Sequence, residues 1–129
     1  MWVRISDTTG TNMEHYNWAP MSSEKIKWAG IDFDDTIASN SNFPDYIPGA
    51  PLPGAIEAIK KLDSMGYKIT IFTARPWFDY ANIEAYCKHY DIPVRRIICG
   101  KPLLRFMIDD KAVAFNGDWD KSIEDALKL

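Results

Sequence analysis

The chain has 129 residues, 47% hydrophobic and 26% charged, which suits one globular domain and is too short for two of ordinary size. Its net charge of −3, with mixed signs, argues against broad electrostatic attraction to nucleic acid, although a local basic patch is compatible with it. No run of about 18 apolar residues is present, so no membrane span is expected. The start, Met1-Trp2-Val3-Arg4-Ile5-Ser6, lacks the pattern of a secretory signal, and the expected location is cytoplasmic by default.

Residues 1–25 are weakly patterned: a short alternation at Trp2-Val3-Arg4-Ile5, a polar, turn-prone stretch over 6–12, then aromatic residues through Trp18. They read as an extension peripheral to the domain, in the form of a strand or hairpin, an arm, or an interface rich in Trp and Tyr. From 26 to 129 strand and helix patterns alternate as one domain. The apolar run 27–33 reads as a buried strand ending in the acidic cluster Asp32, Asp34, Asp35. Residues 38–53 form a loop rich in Ser, Asn, Pro and Gly. Pro53 suits a first helical turn, and Ile56, Ile59 and Leu62 recur at helical spacing until Gly66 stops the helix.

Strand composition returns in Tyr67-Lys68-Ile69-Thr70-Ile71-Phe72-Thr73, and Asp79 is placed to cap a helix that Asp91-Ile92-Pro93 breaks. A third apolar run, Arg96-Ile97-Ile98-Cys99, leads into Gly100-Lys101-Pro102. A fourth, 104–108, ends in Asp109-Asp110. A turn at Asn116-Gly117-Asp118 precedes a last helix that starts at Trp119 or Asp120 and runs to Lys128. Strands separated by helices need crossover connections. The expected fold is therefore α/β: a three-layer, Rossmann-like domain with a mostly parallel central sheet and helices on both faces.

Cys87 and Cys99 form neither a disulfide framework nor a metal-type cluster and read as reduced and buried. His15 and His89 have no partner at ligand spacing and read as surface or boundary residues. Among the tryptophans, Trp28 reads as core and Trp77, close after Thr73 and Arg75, as the one nearest a substrate.

The polar residues carry the functional signal, because Asp32, Thr73 and Asp109 each close an apolar run. In a parallel α/β sheet the ligand crevice lies outside the carboxyl ends of the strands, so the three are expected to converge there. Residues two apart on an extended chain point the same way, which lets Asp32 and Asp34 face one crevice while Phe33 turns into the core.

The stretch Ile31-Asp32-Phe33-Asp34-Asp35-Thr36-Ile37 resembles the first motif of the haloacid dehalogenase (HAD) superfamily of phosphatases. The end of Ile69-Thr70-Ile71-Phe72-Thr73 is similar to the second motif, Lys101 in Gly100-Lys101-Pro102 to the third, and Phe106-Met107-Ile108-Asp109-Asp110 to the fourth. One such motif is weak evidence; four in order are strong.

The resemblance implies phosphomonoester hydrolysis through an aspartyl phosphate. Asp32 would be the nucleophile and Asp34 the acid that protonates the leaving group and then deprotonates water. It implies Mg²⁺ as cofactor, held by Asp32, the backbone carbonyl of Asp34 and Asp109, with Asp110 coordinating through water or buttressing the shell. Lys101 would sit between Asp32 and the phosphoryl oxygens, while Thr73 and nearby backbone groups such as Ala74 would hydrogen-bond those oxygens. Lys111 competes for the Lys101 role. Arg75 is placed either to meet an anionic substrate or to make a structural ion pair. Thr36 would fix the turn, and Asp35 stands where relatives often have glycine.

The stretches 37–68 and 74–100 are too short for a full cap domain, which implies a capless member with an open site. The loop over 38–51, the N-terminal extension or a neighbouring subunit of a homo-oligomer would shield it. Such a site suits phosphorylated macromolecular ends, nucleic-acid ends among them, as well as small phosphorylated molecules. Two alternatives stand beside the enzyme. One is a non-catalytic module of the same fold that binds Mg²⁺ or phosphate; the other is a phosphoacceptor receiver domain, whose acidic pair and acceptor Asp come in a different chain order.

Overall fold

The computed structural model describes residues 2–5, 17–20, 26–40 and 47–129. His15 and residues 41–46 of the loop expected to shield the site lie outside the described residues. Two short strands, β1 (Trp2–Ile5) and β2 (Asn17–Pro20), pair antiparallel, with Trp2 opposite Pro20 and Ile5 opposite Asn17. Within the extension, the described residues thus form an antiparallel pair of strands.

The domain is α/β, with a parallel three-stranded sheet flanked by helices in a Rossmann-like arrangement. Its strands are β3 (Lys27–Ile31), β4 (Tyr67–Phe72) and β5 (Arg96–Ile98), in the spatial order β3-β4-β5. The register sets Ala29 beside Ile69, Ile31 beside Ile71, and Ile71 beside Ile97. Because side chains alternate along a strand, these residues share one face, and that face is the dry one: Ile69 and Ile71 are fully buried. The opposite face carries Trp28, Gly30, Thr70, Phe72, Arg96 and Ile98.

Trp28 belongs to that second face and not to the core. Its ring lies under the Arg96 guanidinium at 4.0 Å, a cation–π contact, and Arg96 Nε donates to Thr70 Oγ1 at 2.7 Å. The sequence suggested core because the residue is large and apolar; its strand position places it on the other side.

Helix α1 (Ala55–Ser64) links β3 to β4 and buries Ala55, Ala58, Ile59 and Leu62. Gly54 caps it with φ 82°, so Pro53 stands ahead of the helix instead of inside its first turn. A 3-10 turn (Trp77–Asp79) leads directly into α2 (Tyr80–His89), which buries Ile83 and Cys87 and crosses to β5. Helix α3 (Trp119–Ala126) packs on α1. Asp118 caps it by accepting from the Lys121 N–H at 3.0 Å, and buried Trp119 donates its indole N–H to the Thr36 carbonyl at 3.0 Å. That last bond ties the chain's final helix to the turn after β3. None of these helices is long and apolar enough to cross a membrane.

The expected fourth strand is not formed. Residues 102–112 are all exposed, including Leu103 at 90%, Phe106 at 73% and Ile108 at 91%. An apolar run states that burial would be favourable but not which surface supplies it. Among the described residues no element lies over this one, and β3 pairs only with β4.

Candidate functional site

Phe33 is fully buried and acts as the pivot of the first motif. Its carbonyl accepts from the N–H groups of Ile37 and Ala38 at 2.9 and 3.0 Å, which folds the chain back sharply after β3. Asp35 sits at the tip with φ 58°, in the left-handed region that Gly, Asn and Asp adopt most readily. Its carboxylate accepts from the Asn40 N–H at 3.1 Å. Asp35→Ala is expected to cost about 1 kcal/mol in urea unfolding, and Asp35→Gly less, because both lose the carboxylate bond to Asn40 but only glycine is relieved of a Cβ on this backbone. Equal losses would show that the carboxylate bond, not the backbone, sets the cost.

Asp32 and Asp34 flank Phe33 and emerge beside different cations. Asp32 Oδ1 accepts from Lys101 Nζ at 3.0 Å and its Oδ2 from Thr36 Oγ1 at 3.3 Å. The Asp32 side chain stays 41% exposed, so one edge of this carboxylate faces solvent. Lys101 reaches it because Gly100, with φ 78°, turns the chain at the end of β5. A Cβ at Gly100 would come within 3.4 Å of the Trp77 indole nitrogen. Trp77, 58% exposed, thus stands against the Lys101 loop.

Asp34 is held by Arg75 in a two-pronged ion pair, from Nε at 2.8 Å and from Nη2 at 2.7 Å. Arg75 Nη1 also reaches Asp79 Oδ2 at 3.5 Å. The hydrogen bond to Asp34 raises the guanidinium's pKa, burial opposes it, and the charges of Asp34 and Asp79 add to the rise. Arg75 is therefore a fixed cation. Asp79 occupies the cap position of α2 but makes no capping bond; its carboxylate faces Arg75 and accepts from Asn82 Nδ2 at 3.1 Å. The sequence offered it as a cap. A charge-assisted bond to a buried guanidinium is the stronger interaction, and it takes the side chain.

Thr73 is 1% exposed and follows directly on the end of β4. Its N–H donates to the Ile98 carbonyl, its carbonyl accepts from the Lys101 N–H, each at 2.9 Å, and its Oγ1 accepts from the Arg75 N–H at 3.1 Å. In this arrangement it braces the two loops that carry Lys101 and Arg75. Ala74, half-buried, lies in the bend between them.

Of the expected site residues, Asp32, Asp34, Thr73, Ala74, Arg75 and Lys101 come together at the carboxyl ends of β3, β4 and β5. Asp109 and Asp110 do not. Both are exposed, and Asp109 Oδ1 accepts from the Lys111 N–H at 2.8 Å in a local turn. Lys111 is exposed in the same turn, and Lys101 is the lysine on Asp32. The cause is the missing fourth strand, which was to carry the second acidic pair to the crevice. Among the described residues no group of three or more His, Cys, Asp or Glu side chains could hold a metal ion. The expected Mg²⁺ ligand set is accordingly not brought together: Asp32 and Asp34 lie at the end of β3, while Asp109 and Asp110 stay in their own exposed turn.

The buried cysteines offer no rival nucleophile. Burial pushes the Cys87 thiol up to about 11 and raises that of Cys99, so both stay protonated at neutral pH.

The chain matches no protein-family model and no curated protein. It is similar to two solved structures. One is the crystal structure of a structural-genomics target from Vibrio cholerae, 24% identical, with a TM-score of 0.57 over 78% of this chain and 98% of that one. The other is a conserved protein from Bacteroides thetaiotaomicron, 19% identical, with a TM-score of 0.59 over 80% of this chain and 91% of that one. What they share with it is the fold. The α/β core carrying the site is thus an arrangement already met in two bacterial proteins.

Proposed function

We propose that the chain is a phosphomonoester hydrolase of the haloacid dehalogenase type, working through an aspartyl phosphate on Asp32. One observation carries this reading: a half-open carboxylate at the end of a parallel strand, with an ammonium at 3.0 Å and a second carboxylate two residues on under separate control. A carboxylate approaches a phosphate dianion only if counter-charge offsets the repulsion, and Lys101 is placed to provide it. The Asp32 oxygen would bond to phosphorus as the ester oxygen leaves, giving an acyl phosphate and the alcohol. Asp34 would serve the proton transfers.

Mg²⁺ belongs to the proposal through the sequence motifs. When bound, it would neutralise phosphoryl oxygens. The residues brought together suit at most a water-rich shell with Asp32 as its carboxylate.

The position of Asp109 and Asp110 away from Asp32 favours a second reading, a module that binds phosphate without turning it over. One experiment separates the two. The purified chain is incubated with a chromogenic phosphate ester, with Mg²⁺ and with chelator, and then with a panel of phosphorylated metabolites and nucleic-acid ends. The expected result is Mg²⁺-dependent release of phosphate. Phosphate binding with no release under any condition would replace the enzyme with the module.

A further inference from the structure

Arg75 is anchored at every end. Its side chain is 4% exposed, its guanidinium grips both oxygens of Asp34 and reaches Asp79, and its planar head lies 5.4 Å over the Phe33 ring. Its N–H bonds Thr73 and its carbonyl accepts from Gly100 at 2.8 Å. Asp79 in turn is 5% exposed and steadied by Asn82. A guanidinium this enclosed does not reach out to an incoming phosphate, which removes the expectation that Arg75 binds substrate directly.

We propose that Arg75 is a positioning residue that holds Asp34 as the base of the second half-reaction, the hydrolysis of the aspartyl phosphate. The inference rests on the phosphatase reading. A two-pronged guanidinium fixes a carboxylate's plane. Each carboxylate oxygen has two lone-pair directions; Arg75 occupies one on each, and the Asp34 side chain keeps 25% exposure through which water reaches the others. In the step itself the water oxygen bonds to phosphorus and its proton passes to Asp34. The bond from phosphorus to the Asp32 oxygen breaks, and its electron pair returns to the Asp32 carboxylate. Phosphate leaves, and both acids are recovered once Asp34 gives up its proton.

An activated ester isolates this half-reaction, because nitrophenolate departs without needing a proton. The test uses the full chain with p-nitrophenyl phosphate and Mg²⁺, comparing wild type with Arg75→Lys, Asp79→Asn and Asp34→Asn. Nitrophenolate is followed through the first turnover, and acid-stable phosphate on the protein is counted at steady state. Thermal unfolding of each sample corrects for loss of folded chain.

Arg75→Lys keeps the charge and loses the fork. It is expected to give a burst stoichiometric with the chain, then a steady rate lower by about tenfold or more, with phosphoprotein accumulating. Asp34→Asn is expected to do the same more severely, and Asp79→Asn, which loosens Arg75 from behind, more mildly. Burst and steady rate falling together in Arg75→Lys, with no accumulation, would overturn the assignment while leaving the phosphatase reading intact. A wild-type chain that releases no nitrophenolate at all overturns that reading, and this inference with it.

Discussion

Arg75→Ala is expected to lower the free energy of unfolding by about 3–5 kcal/mol, read as a shift of the denaturant midpoint at unchanged slope. The reason is what the truncation leaves behind. The Asp79 side chain is 7% exposed and that of Asp34 25%, so removing the guanidinium strands one carboxylate almost without water and a second only partly hydrated. The larger share of the loss belongs to Asp79, since Asp34 recovers some solvation. A domain of this size has about 5–15 kcal/mol in total, which puts the variant near the limit of folding. Arg75→Lys is expected to lose less because a charge remains. A midpoint for Arg75→Ala within about 0.5 kcal/mol of wild type would mean that the cluster rearranges freely, and the anchoring role would fall.

Asp32→Asn is expected to remove turnover of a phosphate ester by about 10³-fold or more while leaving stability nearly unchanged. The amide is almost the same shape as the carboxylate but cannot form the acyl phosphate. Its neighbours Lys101 and Thr36 are themselves partly exposed, so the lost ion pair is of the solvent-screened kind and weighs little on the fold. The two readouts together are diagnostic. Activity lost with stability kept points to chemistry at this carboxylate; activity retained moves the nucleophile elsewhere.

The three paired strands of the sheet were legible because two signals agreed: apolar runs of strand composition, each bounded by a loop or turn. Gly66 and the Asp91-Ile92-Pro93 break marked the helix ends where they fall. The run 104–108 carried the same apolar signal and failed, since composition describes a segment's appetite for burial but not the partner that meets it. The convergence of Asp32 and Thr73 followed from placing polar residues at strand ends, whereas Lys101 beside Asp32 was what the family resemblance implied. The pairing of Asp34 with Arg75 followed from neither, because the two are 41 positions apart and nothing local links them. A weaker cue existed in the four-residue spacing of Arg75 and Asp79, which is the separation at which opposite charges meet across a helical turn. The left-handed turn at Asp35 was half visible, as a position where relatives often place glycine.

The bracing by Thr73 bears on how the crevice can move. Its carbonyl steadies the loop that sends Lys101 to Asp32, and its hydroxyl steadies the loop that sends Arg75 to Asp34. Both acids are therefore tethered, through different cations, to the terminus of a single central strand. A displacement of that terminus pulls the two tethers in concert, so the spacing between Asp32 and Asp34 is geared to one joint instead of two independent ones.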